Sequence, residues 1–456
     1  MTEMPKICRG CFTEWEEGNA ACPNCGWEPG EQYDRVFDWT PGEVFEKRYL
    51  LGMLFCSNPD TAVWRIYDTV LGVSYLALRV FPEDDDSLYL SAKKIKKSKD
   101  CFQGAVRLMA AKSVGLKRAL LFSIEETEQN REVLKHALQK EIQLEEAFEP
   151  PDVSGCGRKK EQELIPGTIL KERYQVLECI GIGGFGMIYL CNDIALRRLV
   201  AVKEYFPEEW AEREEQYVSI KKSRIAEAYR FGLESFYLEA KLMAKFIHTP
   251  HVVTICDLME ANDTAYLVMD YIAGISIGRE MRAGGYQPYP PKEAAEILFP
   301  VTEALCALHE EKIIHCDVSP GNIMRSENGE IFLIDMGAAK YALTSRPILS
   351  AAFLKPDYAA PEQYRTAKSG IPGDEGPWTD VYALGATAYY LLTGAKPPDV
   401  MQRLSGKRKD VALPKRCRLK HKKQWLKFFN RAMALEIRER MGSVVEFREE
   451  MEKLLK

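Results

Sequence analysis

The stretch "IIHCDVSPGNIM" (residues 313–324) decides how this chain is read. Two isoleucines and a histidine lead into Asp317, and Asn322 follows five positions later. Downstream, "IFLIDMGAAK" (331–340) reads as a β-strand and turn ending on Asp335, and "YAAPEQY" (358–364) closes the segment that starts there. "WTDVYALGATAYYLLTG" (378–394) is apolar, but it holds glycines and is too short to span a bilayer, so a buried core helix is expected. Upstream, "EAAEILFPVTEALCALHEEK" (293–312) has helical periodicity, and "SFYLEAKLMAKFIHTPHVV" (235–253) is an amphipathic helix carrying Glu239.

Further upstream, "CIGIGGFGMIYL" (179–190) sets Gly181, Gly183 and Gly186 in G-x-G-x-x-G spacing. Dinucleotide folds and ordinary turns share that spacing, so its context decides. A dinucleotide fingerprint opens a helix, whereas "MIYLCND" (187–193) and "RLVAVKEYF" (198–206) alternate like antiparallel strands. A glycine-rich hairpin lets backbone N–H groups approach phosphate oxygens with no side chain in the way.

Over about residues 166–450 these motifs together resemble a eukaryotic-like serine/threonine protein kinase of the bacterial Hanks type. The resemblance implies an α+β, bilobal protein-kinase fold: a small antiparallel β lobe (166–272) and a larger, mainly helical lobe (273–456). It also implies roles. Lys203, ending "VAVK", would contact the ATP phosphates and be oriented by Glu239. In "YLVMDYIAG" (266–274), backbone groups of Asp270 and Ile272 would receive adenine, with Met269 at the back of the pocket. Asp317 would accept the substrate hydroxyl proton, and Asn322 and Asp335 would hold Mg2+. Asp335-Met336-Gly337 stands for D-F-G, with methionine as an apolar substitute for phenylalanine. Asp380 is the usual acid of the central helix, and Arg440 is placed to pair with Glu362. "AAPE" resembles a peptide-binding segment, which favours protein substrates over small molecules.

Two residues depart from the family pattern. Cys316 stands where an arginine normally grips a phosphorylated activation segment, so activation through that contact is not expected. Ser319 stands where a lysine normally contacts the aspartate and the transferred phosphate. Aligning "LKPDYAAPE" on the family pattern puts Lys355 where a threonine is expected. One reading is a reciprocal exchange, with Lys355 supplying the cation and Ser319 the hydroxyl. The other is two unrelated substitutions with Lys355 in solvent.

The N-terminal region has its own patterns. Cys8 and Cys11 ("CRGC") with Cys22 and Cys25 ("CPNC") form two C-x-x-C pairs that suit a structural, four-thiolate Zn2+ site in a ribbon over 1–30. A module that small has too little core to fold without its metal. Four unrelated thiols or a redox pair are the alternatives. Sliding the chain on itself by 125 positions then aligns 41–83 with 166–208. Pro41, Gly42, Arg48, Tyr49, Asp68, Leu71, Phe81, Pro82 and Glu83 match their partners, and "RLMAAK" (107–112) echoes "KLMAKF" (241–246). A degenerate small-lobe-like domain over 41–148 is expected, with coincidental strand similarity as the alternative. It has "CSNPDTAVW" for the glycine loop and Leu78 for Lys203, so it should not hold a nucleotide. "ETEQNREVLKHALQKEIQLEEAF" (126–148) reads as helical, and 149–165 as a linker.

The totals fit this plan. With 456 residues, 46% hydrophobic and 28% charged, the composition is that of an ordinary globular protein. A formal net charge of −5 gives no global basic field for nucleic acid, and "KRCRLKHKK" (415–423) reads as a solvated helix surface. Thirteen cysteines behind a start without an apolar run point to reduced thiols in a cytoplasm. The expected activity is transfer of the ATP γ-phosphate to Ser/Thr hydroxyls of proteins, controlled by the N-terminal region. The alternative is a nucleotide-binding pseudokinase scaffold with weak or no phosphotransfer.

Overall fold

The computed structural model describes residues 8, 12, 22, 42–57, 62–80, 107–114, 117–123, 161–183, 186–335, 354–369, 374–405, 410–415 and 417–456. The expected helix at 126–148 lies outside them. The backbone gathers into two compact units: Met1–Phe206, Ala211–Ser219 and Ile255–Asp270 form the first, and Pro207–Trp210, Ile220–Thr254 and Tyr271–Lys456 the second.

The first unit holds two six-stranded antiparallel sheets. One is built from β1 (Val44–Phe45), β2 (Tyr49–Ser57), β3 (Ala62–Asp68), β4 (Val73–Val80), β5 (Arg107–Val114) and β6 (Lys117–Ser123). The other is built from β7 (Ile169–Leu170), β8 (Tyr174–Gly183), β9 (Gly186–Asp193) and β10 (Arg198–Tyr205). After a hairpin of β11 (Ala211–Glu214) and β12 (Tyr217–Ile220), it adds β13 (Ile255–Ala261) and β14 (Thr264–Asp270). The orders are β1-β2-β3-β4-β6-β5 and β7-β8-β9-β10-β14-β13, so both sheets run first, second, third, fourth, sixth, fifth.

Of the residues repeated at 125 positions, Gly42, Arg48, Tyr49, Asp68 and Leu71 sit at places that match those of their partners, while Pro41, Phe81, Pro82 and Glu83 lie outside the described residues. Gly42 and Gly167 both turn the chain at φ 92°, a region closed to most side chains, before the first strand of their sheet. Arg48 donates from Nε to Asp68 at 2.9 Å, and Arg173 donates from Nε to Asp193 at 2.8 Å. Each guanidinium lies over the ring of the next residue, Tyr49 or Tyr174. Each aspartate also receives a backbone N–H three residues on, from Leu71 or Leu196. A buried carboxylate needs such partners, which explains why the pair reappears with its tyrosine. The "RLMAAK" echo is a different matter. Residues 107–112 are strand and 241–244 helix, and β5 instead takes the place in its sheet that β13 takes in the other. Similar apolar composition in segments of different period produced that match.

Arg48 makes two further contacts. Its Nη1 donates to Asp257 Oδ1 at 2.6 Å and to the Leu258 carbonyl at 2.9 Å on β13, so it joins the two sheets. The Tyr174 hydroxyl donates to the other oxygen of Asp257 at 3.1 Å. Near the start of the chain, Phe12 packs on the first sheet, its ring 5.5 Å from that of Tyr67.

The second unit is mainly helical. Its described elements are α1 (Ala226–Ala244), β15 (Gly274–Ser276), α2 (Ile277–Ala283), α3 (Pro291–Glu310), β16 (Ile323–Ser326) and β17 (Ile331–Leu333). They continue with α4 (Pro361–Ser369), α5 (Pro377–Thr393), α6 (Val400–Leu404), α7 (Lys422–Ala432) and α8 (Val444–Leu455). α5 is buried from Thr379 to Leu392 and forms the core. It packs tightly on α7 at Gly385, where an added Cβ would lie 2.7 Å from that of Ala432. Arg440 donates to Glu362 from Nη1 at 2.6 Å and Nη2 at 3.1 Å, and to the Ala434 and Trp378 carbonyls, so this buried pair is fully partnered. Among the described residues of the basic run 415–423, helix starts only at Lys422, and Cys417 and Leu419 are buried. Anchoring of those two apolar groups overrides the helical reading. Among the described residues no helix is long and apolar enough to cross a membrane.

Candidate functional site

The acid Asp380, at the start of α5, fixes the loop quoted at the outset. It accepts the His315 and Cys316 N–H groups at 2.9 and 2.8 Å and bonds His309 Nε2 at 2.8 Å. Gln363 Nε2 donates to the Cys316 carbonyl at 2.8 Å. Cys316 itself sits at φ 60°, and these bonds hold it in that left-handed conformation. Burial pushes its thiol well up, so it is protonated filler.

Asp317 projects from this fixed backbone. Asn322 Nδ2 donates to its carbonyl at 2.9 Å and to Oδ2 at 2.8 Å. Lys355 Nζ lies 2.8 Å from Asp317 Oδ2 and donates to Ser319 Oγ at 3.0 Å. The structure thus brings the two residues of the reciprocal exchange together beside Asp317. Burial raises the Asp317 carboxyl to about 6, with Lys355 pulling the other way. Asp335 follows β17 at φ 61°, and the Ile334 N–H donates to the Asn322 carbonyl at 2.8 Å, tying the two magnesium candidates together. Both side-chain bonds of Asn322 come from Nδ2, so Oδ1 is its oxygen for a cation. An amide oxygen and a carboxylate fit Mg2+, which takes few protein ligands and completes its shell with phosphates and water.

In the first unit, β8 and β9 form the glycine hairpin, with Gly183 opposite Gly186. A Cβ on Gly186 would lie 2.2 Å from the Glu204 carbonyl oxygen, so only glycine fits there. At Gly181 the nearest atom would be 3.6 Å away, ordinary contact. Lys203 is on β10 between Ile188 and Leu267. Met269 and Asp270 end β14, and the Asp270 carboxylate is paired with Arg198 and Cys256. Glu239, buried in α1, and Ile272 belong to the second unit. Cys8 and Cys22 are buried, while Cys11 and Cys25 lie outside the described residues. Among the described residues no group of three or more His, Cys, Asp or Glu gathers for a metal. Sequence reasoning missed Gln363 and His309. Gln363 directly follows the "APE" element, the one local hint of its place.

The protein kinase domain family profile matches residues 174–454. The chain is 33% identical to Serine/threonine-protein kinase PrkC of Bacillus subtilis (strain 168) over 238 residues, 52% of this chain and 33% of that protein. It is 32% identical to Serine/threonine-protein kinase PknB of Mycobacterium leprae (strain TN) over 235 residues, 50% of this chain and 33% of that protein. The chain therefore spans about a third of the length of these curated relatives. The solved structure "PpkA-294 apo form" superposes with a TM-score of 0.53 at 29% identity, over 65% of this chain and all of that one. From β8 to α8, with a β-rich N-lobe and a helical C-lobe, this chain belongs to the protein kinase family.

Proposed function

We propose that the chain is a serine/threonine protein kinase that transfers the γ-phosphate of ATP to protein hydroxyls. One observation carries this reading: Lys355 bonded to both Asp317 and Ser319. A decayed site has no reason to regain its missing lysine from another segment. In this reading Asp317 orients the acceptor hydroxyl and takes its proton. Lys355 balances charge on the phosphoryl group in transit, and Ser319 positions Lys355. Lys203, oriented by Glu239, would contact the α- and β-phosphates beneath the backbone of Gly181, Gly183 and Gly186. Asp270 and Ile272 would receive adenine through their backbone, with Met269 behind it. Mg2+, held by Asn322 and Asp335, would neutralise charge on the phosphates when bound. Incubation with γ-labelled ATP, Mg2+ and a generic protein acceptor, followed by phosphoamino-acid analysis, tests the assignment. Label on serine or threonine is expected; ATP binding with no label would make the chain a scaffold.

The N-terminal region is read as regulatory. Its sheet is taken as a degenerate small lobe, supported by the shared strand order and the duplicated Arg–Asp pairs. Cys8, Cys11, Cys22 and Cys25 are proposed to hold a structural Zn2+, a reading supported by the burial of Cys8 and Cys22. A reducing, cytoplasmic setting suits both thiolates and kinase. Control would act through Arg48 on Asp257. Arg48→Met in the full chain is expected to change the transfer rate at saturating ATP by about fivefold or more, as measured by initial rates. An unchanged rate would argue against intramolecular control by this contact.

A further inference from the structure

Glu204 is the chain neighbour of Lys203 on β10, and successive strand residues face opposite sides of a sheet. Its carboxylate is fully buried, yet each oxygen is partnered. Oε1 accepts from the Tyr266 hydroxyl at 2.8 Å, and Oε2 accepts from the Tyr189 hydroxyl at 3.0 Å and from Arg213 Nη2. Tyr189 and Tyr266 come from β9 and β14, the strands flanking β10, so the clamp spans three adjacent strands. The Glu204 carbonyl is also the group against which Gly186 is pressed. One residue therefore sits beside the phosphate lysine and beneath the glycine hairpin, with its side chain locked.

The other end of the clamp leads out of the domain. Arg213 donates from Nε to the Gln162 carbonyl at 2.7 Å and from Nη1 to the Gln216 carbonyl at 3.1 Å. The Arg213 backbone N–H donates to Gln162 Oε1 at 2.9 Å, and the Leu164 N–H to the Tyr189 hydroxyl at 3.2 Å. Glu163 and Leu164 are buried. Residues 161–165, expected as linker, are thus fastened to the buried charge pair behind Lys203.

We propose that Glu204 and Arg213 are positioning residues that set Lys203 for the nucleotide phosphates, and that Gln162 is where the N-terminal region bears on that setting. This rests on the reading of Lys203 as the phosphate-contacting lysine. A buried guanidinium–carboxylate pair is stiff and directional, so loosening it shifts the strand it holds. The effect should fall on phosphate recognition and spare adenine.

Titration of the full-length protein with MgATP and, separately, with adenosine distinguishes this from simple structural support. Arg213→Met is expected to weaken MgATP binding about tenfold and Gln162→Ala about threefold, with adenosine affinity held within about twofold. Arg213→Lys, which keeps a cation, should recover part of the loss. Equal losses for both ligands, or no loss for MgATP, would overturn the proposal. If Arg213→Met does not fold, Gln162→Ala decides by the same criterion. Lys203→Met serves as the control and should show a phosphate-selective loss at least as large. Wild-type MgATP affinity in that variant would instead remove the role of Lys203, a failure distinct from that of the clamp.

Discussion

Asp317→Asn is expected to slow phosphoryl transfer by about 10²–10⁴-fold, the range for loss of a positioned proton acceptor. The change is nearly isosteric, and Asp380 and Gln363 hold the backbone of the loop independently of the Asp317 side chain. The fold should therefore survive. What is lost is the carboxylate that pairs with Lys355 and that is proposed to take the hydroxyl proton. The amide oxygen of the asparagine can still accept from Asn322 Nδ2, so MgATP affinity should stay near wild type and the loss should appear in kcat. Single-turnover transfer at saturating ATP, with ATP affinity measured in parallel, reads both quantities. A variant transferring at the wild-type rate would remove Asp317 from the chemistry.

Lys355→Ala is expected to slow the same step by about 10²–10³-fold, the usual cost of removing one preorganised electrostatic group from a transition state. Two effects add. In the proposed role of Lys355 the transferring phosphoryl loses its cation, and Asp317 loses the neighbour that counteracts its burial, so its ionised form becomes harder to maintain. Lys355→Arg keeps the charge on a broader, planar head and should fall between alanine and wild type. If Lys355 were merely a surface lysine, substitution would change the rate by little. Ordinary kinases carry this cation on the catalytic loop itself. Here the lysine bonded to Ser319 comes from a segment 36 residues away, so in the proposed mechanism completion of the site depends on where that later segment lies.

Much of this site was legible because its parts are local. Asp317 and Asn322 share one loop, Gly183 and Gly186 one hairpin, and the flanking motifs fix the alignment at positions 319 and 355. That fixed alignment let a Ser319–Lys355 contact be expected, as one of two readings, across a long separation. The contacts that escaped lack any local frame. Arg48 and Asp257 are 209 positions apart, and strand periodicity does not say which sheet edges meet. Charge at 415–423 suggested an exposed helix, but Cys417 and Leu419 are drawn into the core. The polar stretch before residue 166 read as linker, because nothing in its composition shows that Gln162 and Leu164 complete a buried network around Glu204. Composition reports what a segment prefers in isolation, whereas an unsatisfied buried charge recruits whatever backbone lies near.

The reciprocal double variant, Ser319→Lys with Lys355→Thr, tests most directly whether one cation shared between these two positions makes the site work. It returns lysine to the catalytic loop and a hydroxyl to the later segment. Its single-turnover rate is expected to exceed that of Lys355→Ala by about tenfold or more, recovering most of the electrostatic contribution. A double variant no faster than Lys355→Ala, in a protein that still binds MgATP, would contradict the account.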